Sequence, residues 1–355
     1  MSLPTLINLK KLERKLNGRT LDEALKYLEI CKTCSKYRNV LCLKDKGCDV
    51  EDVFLARLAR GFCKEKWDKN AHNMISHRFF TTADLVTDSY RLIQKVPTDC
   101  DIVIGAARSG MFPATVLSTQ LHLPLFSVSK NSVAHVGSGW RLDDAVSSIK
   151  KILFVEDTLY SGRSFSKAVA IIKSYFPEAS LVSAAVYVHP KSIDKVDYYV
   201  EMLPGRHYLE WNFFNSIAIS RCIFDLDGIL CEDIAWDDDD DGEKYLKALE
   251  NAVPKYLVRR EPIPIIATAR LEKYRAITEQ WLSKHGVSFK RLMMGPWPDN
   301  KSRSVKGEIA RFKAGIYSSY SYTLFVESDP LQAAEIVELT GKEVLCPRIK
   351  RVLIR

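Results

Sequence analysis

Apolar and polar positions along the chain fall into three textures. Residues 1–80 read as helical, with a cysteine-rich middle, and residues 82–96 as a helix leading into a first apolar strand at 102–105. From there to about residue 215, short apolar runs at 102–105, 123–128, 151–155 and 180–188 alternate with helical patterns. Such alternation predicts a parallel sheet with helices on both faces. A second α/β series begins at Ile217, with strands expected at 220–224, 264–268, 323–327 and 343–346. No Pro/Gly/Ser linker marks 212–218, and no internal repeat is present. The expected organisation is α/β: a small helical, Cys-rich region at 1–80, then two Rossmann-like parallel-sheet domains at 81–215 and 216–355.

Length agrees with this division, because 355 residues exceed what one hydrophobic core usually holds. The 46% hydrophobic and 27% charged content is that of a globular protein. No apolar run approaches the roughly 20 residues that span a bilayer, and Met1 to Lys15 lacks the apolar core of a signal peptide. A cytoplasmic location without membrane contact is therefore expected. Of the net charge of +8, much lies early: residues 1–85 carry 17 Lys+Arg against 11 Asp+Glu. That excess suits a nucleic-acid surface, a solvated helical face or a home for phosphorylated ligands. Nine cysteines without an export signal argue against a disulfide framework. Cys31-x-x-Cys34 with Cys42, Cys48 and Cys63 offers a structural zinc site, most simply Cys31, Cys34, Cys42 and Cys48. An iron–sulfur cluster and unligated thiols remain alternatives.

The richest chemistry lies where the strand at 151–155 runs into Glu156-Asp157-Thr158-Leu159-Tyr160-Ser161-Gly162-Arg163-Ser164. Turn amides and a helix N-terminus present N–H groups to a phosphate, Gly162 lets the backbone approach closely, and two hydroxyls add donors. The paired acids can receive ribose hydroxyls and supply charge near a magnesium–diphosphate group. This segment resembles the PRPP (phosphoribosyl diphosphate) signature of type I phosphoribosyltransferases, with Arg163 where a second glycine is frequent. Upstream, Ile102 to Gly110 resembles that family's diphosphate loop, with Arg108, Ser109 and Gly110 at the leaving group. The resemblance implies PRPP binding by Arg108, Ser109, Gly110, Glu156, Asp157, Thr158, Tyr160, Ser161, Gly162, Arg163 and Ser164. It also implies a flexible basic lid at 130–142, containing Lys130 and Arg141, and an acceptor hood at Tyr208-Leu-Glu-Trp211-Asn-Phe-Phe214.

In the second series, Ile223-Phe-Asp225-Leu-Asp227-Gly228 places two carboxylates two residues apart after an apolar strand. Period-two alternation points both to one side, where one can attack phosphorus and the other move a proton. The pattern resembles motif I of the haloacid-dehalogenase-like (HAD) phosphatases. Ile265 to Arg270 resembles motif II, and Leu324-Phe-Val-Glu327-Ser328-Asp329 resembles motif IV, although many relatives carry Asp-Asp there. The resemblance implies a catalytic set of Asp225 (nucleophile), Asp227 (acid/base), Thr268 and Lys313, with Lys306 the alternative lysine. It implies a magnesium ion held among Asp225, Asp227, Glu327 and Asp329. The spacing leaves room for little or no cap; the acidic run 237–241 reads as a solvated loop or part of a small insert. Arg270, Tyr274 and Arg275 form a polar face that could contact substrate.

Together the resemblances imply PRPP-dependent transfer to or from a nucleobase, coupled to a magnesium-dependent phosphomonoesterase that would convert a nucleotide product to a nucleoside. The alternative is a PRPP- or nucleotide-sensing regulator whose basic N-terminal region meets nucleic acid or a protein partner. A homodimer also stays open.

Overall fold

The computed structural model describes residues 78–139, 149–204 and 207–354. The cysteines proposed for zinc (Cys31, Cys34, Cys42 and Cys48) and the basic N-terminal region lie outside the described residues. The chain divides into two compact units at Phe213/Phe214.

In the first unit, β1 (Arg78–Phe80) leads into α1 (Thr82–Ile93). Helix α1 starts where Thr81 and Asp84 form a reciprocal capping box, and buries Leu85, Asp88, Ser89 and Leu92, one helical stripe. There follow β2 (Ile102–Ala106), α2 (Met111–Leu121), β3 (Leu125–Val128), β4 (Val133–Gly137), β5 (Lys151–Leu159), α3 (Arg163–Tyr175), β6 (Ser180–Val188), β7 (Tyr198–Met202), β8 (His207–Leu209) and α4 (Glu210–Phe213). A 3₁₀ helix, Pro190–Lys195, joins β6 to β7. The six-stranded sheet runs β4-β3-β2-β5-β6-β7, parallel except for β4, while β1 pairs with β8. Buried Val103, Leu153, Val155 and Val186 pack on one face, and Ile102, Ile104, Phe154 and Val188 on the other. Covering both faces explains why the central strands are largely apolar rather than alternating.

The strands and longer helices that follow are β9 (Cys222–Phe224), α5 (Glu243–Glu250), β10 (Ile265–Leu271), α6 (Arg275–Lys284), β11 (Leu292–Gly295), α7 (Glu308–Ser318), β12 (Leu324–Val326), α8 (Pro330–Thr340), β13 (Val344–Cys346) and β14 (Arg351–Leu353). Strands β11-β10-β9-β12-β13 lie parallel, and β14 turns back antiparallel to β13. Parallel order places every loop that follows these strands at one crest, the usual ligand edge of an open α/β sheet.

Three expectations change. Residues 78–80, expected as part of a helical region, are a strand. Residues 133–137, expected within a flexible lid, form edge strand β4 against β3, with His135 packed on Phe126. Residues 140–148, including Arg141, lie outside the described residues. The acidic run is not simply solvated: Asp239 pairs with Arg303, and Asp241 accepts from Tyr274 (2.8 Å) and Lys273 (2.9 Å).

Candidate functional sites

At the crest of the first unit, the loops after adjacent parallel strands β2 and β5 meet. Gly110 allows the closest approach: a Cβ there would lie 2.6 Å from Glu156 Oε2 and 2.8 Å from the Ala106 carbonyl. Glu156 and Thr158 alternate with Asp157 along β5, so the two acids face different surroundings. Asp157 is 2% exposed; its Oδ1 accepts from Ser109 Oγ (3.0 Å) and its Oδ2 from Trp211 Nε1 (2.7 Å). Burial and the neighbouring Asp157 push the Glu156 carboxyl up to about 9. Arg108, Tyr160, Ser161, Arg163 and Ser164 are exposed, and Thr158 is half-buried.

The turn that follows is fastened from behind. Its successive carbonyls Leu159, Tyr160 and Ser161 accept from the His189 amide (2.7 Å), Ser192 Oγ (3.0 Å) and Lys195 Nζ (3.0 Å). A 3₁₀ helix has three residues per turn, so a spacing of three keeps these donors on one side. Gly162 has φ 69°, a left-handed value that glycine adopts without strain, and leads into α3. The first amides of α3 have no partner within the helix, which makes this end receptive to an anion.

The Glu156 environment sets a pH dependence. A carboxyl ordinarily near 4.5 that titrates at about 9 in the fold binds a proton between those values that the unfolded chain has released. Stability contributed by this group is therefore present at low pH and lost as pH rises through the window, by up to about 1.4 kcal/mol per unit. Urea unfolding at pH 6 and pH 8.5 should show a smaller decline in Glu156→Gln than in the parent. An equal decline would place the titrating group elsewhere.

In the second unit, Asp225 follows β9, Glu327 follows β12, and Lys313 reaches them from α7. Lys313 Nζ lies 2.9 Å from Asp225 Oδ2 and 2.7 Å from Glu327 Oε2, all three nearly or fully buried. Burial and Glu327 push the Asp225 carboxyl up against the pull of Lys313. Burial works against the Lys313 charge, but the two carboxylates outweigh it and hold the ammonium protonated. Lys306 is exposed. Thr268 is buried in β10, and its hydroxyl accepts from the Arg270 amide at 3.2 Å.

Asp227 turns to a different partner. Arg270, fully buried, donates from Nε to Oδ2 (3.0 Å) and from its terminal nitrogen to Oδ1 (2.6 Å); the buried Cys231 thiol lies 3.4 Å from both groups. Burial pushes Asp227 up, but the guanidinium prevails and holds it below the usual range, as a carboxylate. Arg270 thus serves inside the site rather than on a surface face. Tyr274 binds Asp241, and Arg275 pairs with Glu272 and Glu279.

The four carboxylates expected around magnesium do not come together, and no cluster of three or more His, Cys, Asp or Glu among the described residues is arranged to hold a metal. Asp227 is engaged by Arg270. Asp329 caps α8 through the amides of Leu331 (2.7 Å) and Gln332 (3.0 Å). Asp225 and Glu327 do converge on Lys313, as hard oxygen donors. Their chemistry fits magnesium, which commonly takes one or two carboxylates and keeps its waters.

Sequence reasoning missed Trp211 as a donor to Asp157, the fastening by 189–195, and Arg270 as the partner of Asp227. It also missed Ser328, whose hydroxyl donates to the Asp227 carbonyl (3.1 Å) beside Gly228 at φ 76°.

Comparison with known proteins bears on the first site. Residues 84–216 match the phosphoribosyl transferase domain. An orotate phosphoribosyltransferase of Staphylococcus haemolyticus is 30% identical over 121 residues, covering 34% of this chain and 58% of that protein's length. A purine phosphoribosyltransferase of Pyrococcus horikoshii is similar in structure with a TM-score of 0.31 and 21% identity, over 40% of this chain and 97% of that one. A Helicobacter pylori xanthine-guanine-hypoxanthine phosphoribosyltransferase gives 0.30 and 19%, over 38% and 93%. Residues 84–216 are thus similar to a phosphoribosyl transferase domain, and the chain spans little more than half the length of the orotate phosphoribosyltransferase it matches.

Proposed function

We propose that this domain transfers the phosphoribosyl group of PRPP to a nucleobase-like acceptor. The observation that carries the reading is the meeting of two phosphate-binding loops, 107–110 and 159–164, at the ends of neighbouring strands β2 and β5, with Glu156 between them. In this reading the turn at 161–164 and α3 hold the 5-phosphate, while Arg108 and the loop amides receive the diphosphate. Glu156 takes a ribose hydroxyl, and the hood around Trp211 receives the base. Glu156 and Asp157 lie where they could face a magnesium ion carried by the diphosphate, which would offset the leaving charge. Positioning and electrostatics do the rest, because the ribosyl carbon needs no protein nucleophile.

For the second unit we propose a magnesium-dependent phosphomonoesterase of the HAD kind, acting on a nucleotide or sugar phosphate. The buried Asp225–Lys313–Glu327 group supports it. Asp225 attacks phosphorus as the bond to the ester oxygen breaks, that oxygen takes up a proton from solvent, and water then opens the aspartyl-phosphate. Asp227, held ionised by Arg270, is set to take the proton from that water. Magnesium held by Asp225 and Glu327 would draw charge from the phosphoryl oxygens, with Lys313 and Thr268 beside it.

The test is incubation of the full chain with magnesium, PRPP and a panel of bases that includes orotate and purines, read by mass. The expected result is base-dependent diphosphate release with nucleotide, then nucleoside and phosphate. No base-dependent release from any member would reject the transferase. Nucleotide that accumulates without phosphate would reject the coupled hydrolysis.

A further inference from the structure

Asp157 is a buried carboxyl group whose two oxygens are claimed by different parts of the chain. One binds Ser109, from the loop assigned to the leaving diphosphate; the other binds the Trp211 indole, from the hood assigned to the acceptor. These partners lie 48 and 54 residues away in sequence. The hood is tied on its other side as well: the Glu210 carboxylate accepts from the Thr82 amide (3.0 Å) and hydroxyl (3.1 Å) at the start of α1. Trp211 is half-buried, with its N–H directed inward to Asp157 while part of the ring stays accessible.

We propose that Trp211 is a positioning residue for the transfer reaction: through Asp157 it holds the leaving-group loop and the acceptor hood in one register. The inference rests on the transferase reading and deepens it. An indole N–H only donates, and both Asp157 oxygens accept, so the contact has one polarity and one geometry. Removing the donor leaves a buried acceptor unpaired beside the loop that must hold a diphosphate, and releases the Asp157 side chain from the rotamer that positions Ser109. Leaving a buried acceptor without its donor is enough to change binding by about ten-fold or more. Diphosphate belongs to the loop and not to the hood, so any influence of Trp211 on its affinity travels through Asp157.

Inorganic diphosphate with magnesium is titrated calorimetrically into the full chain as parent, Trp211→Phe, Ser109→Ala and the double variant. Trp211→Phe, which keeps an aromatic ring but deletes the N–H, is expected to weaken binding about ten-fold. The double variant should lose less than the product of the single losses, because both act on one carboxylate. Diphosphate affinity in Trp211→Phe equal to the parent's overturns the proposal and leaves the ring as a stacking platform only. If Trp211→Phe does not fold, the link is read from its other end. Ser109→Ala should then raise KM for the acceptor base several-fold, and an unchanged KM overturns the proposal. A parent that binds neither diphosphate nor PRPP removes the transferase reading, and this inference with it.

Discussion

Asp225→Asn should lower phosphomonoester hydrolysis to below about one part in 10⁴ while leaving PRPP-dependent transfer intact. An amide is no nucleophile toward phosphorus, and loss of a nucleophile removes most of the catalysis in enzymes that use one. The substitution also replaces a carboxyl oxygen with an amide nitrogen beside Glu327, so the group's capacity to ligate a divalent cation falls. Folding should survive. Lys313 keeps Glu327 at 2.7 Å, and the variant no longer buries two carboxylates side by side. The assay is phosphate release from an aryl phosphate by contaminant-free protein, alongside trapping of beryllium fluoride on the aspartate. Retained turnover, or trapping in the Asn variant, would remove the phosphatase reading of the second unit. Loss of both activities in a folded variant would instead show that the two sites depend on each other.

Arg270→Met should destabilise the second unit by about 3 kcal/mol. Removing one partner of a buried ion pair leaves an uncompensated charge, typically at a cost of about 3–5 kcal/mol. The lower end applies because the Asp227 side chain keeps 25% exposure and water can reach it. The pair is multidentate and sits against Cys231, so a lysine could not reproduce it. Removing both charges with Arg270→Met and Asp227→Leu should recover most of the loss, since matched apolar replacement of a buried pair is often neutral. Urea unfolding of the parent and the two variants measures this. A single variant as stable as the parent would mean the ion pair is not what holds this loop.

Much of the architecture was legible because burial on both faces writes itself into composition. Strand β2 and the middles of β5 and β6 are largely apolar runs, and β10 and β12 could be placed by the hydroxyl and acids in or after them. Strand β1 was not legible, since three residues carry no period. β4 was hidden because an edge strand with exposed positions and glycine resembles a loop. Within the sites, residue types were readable but pairings were not. Trp211 with Asp157 and Arg270 with Asp227 join positions 54 and 43 residues apart, and nothing local in the chain chooses those partners. The acids at 225, 227, 327 and 329 looked like one metal set by spacing alone. Lys313, Arg270 and the capping of α8 divide them into three tasks.

The segment 189–195 changes how the phosphate turn can evolve. Its donors grip carbonyls, which every residue type carries, so the shape of the turn is largely indifferent to the side chains at 161, 163 and 164. Arginine can then stand at 163, where the resembling signature often has glycine, without remodelling the turn. The restriction moves to Ser192 and Lys195, away from the motif, where an observer comparing signatures would not look.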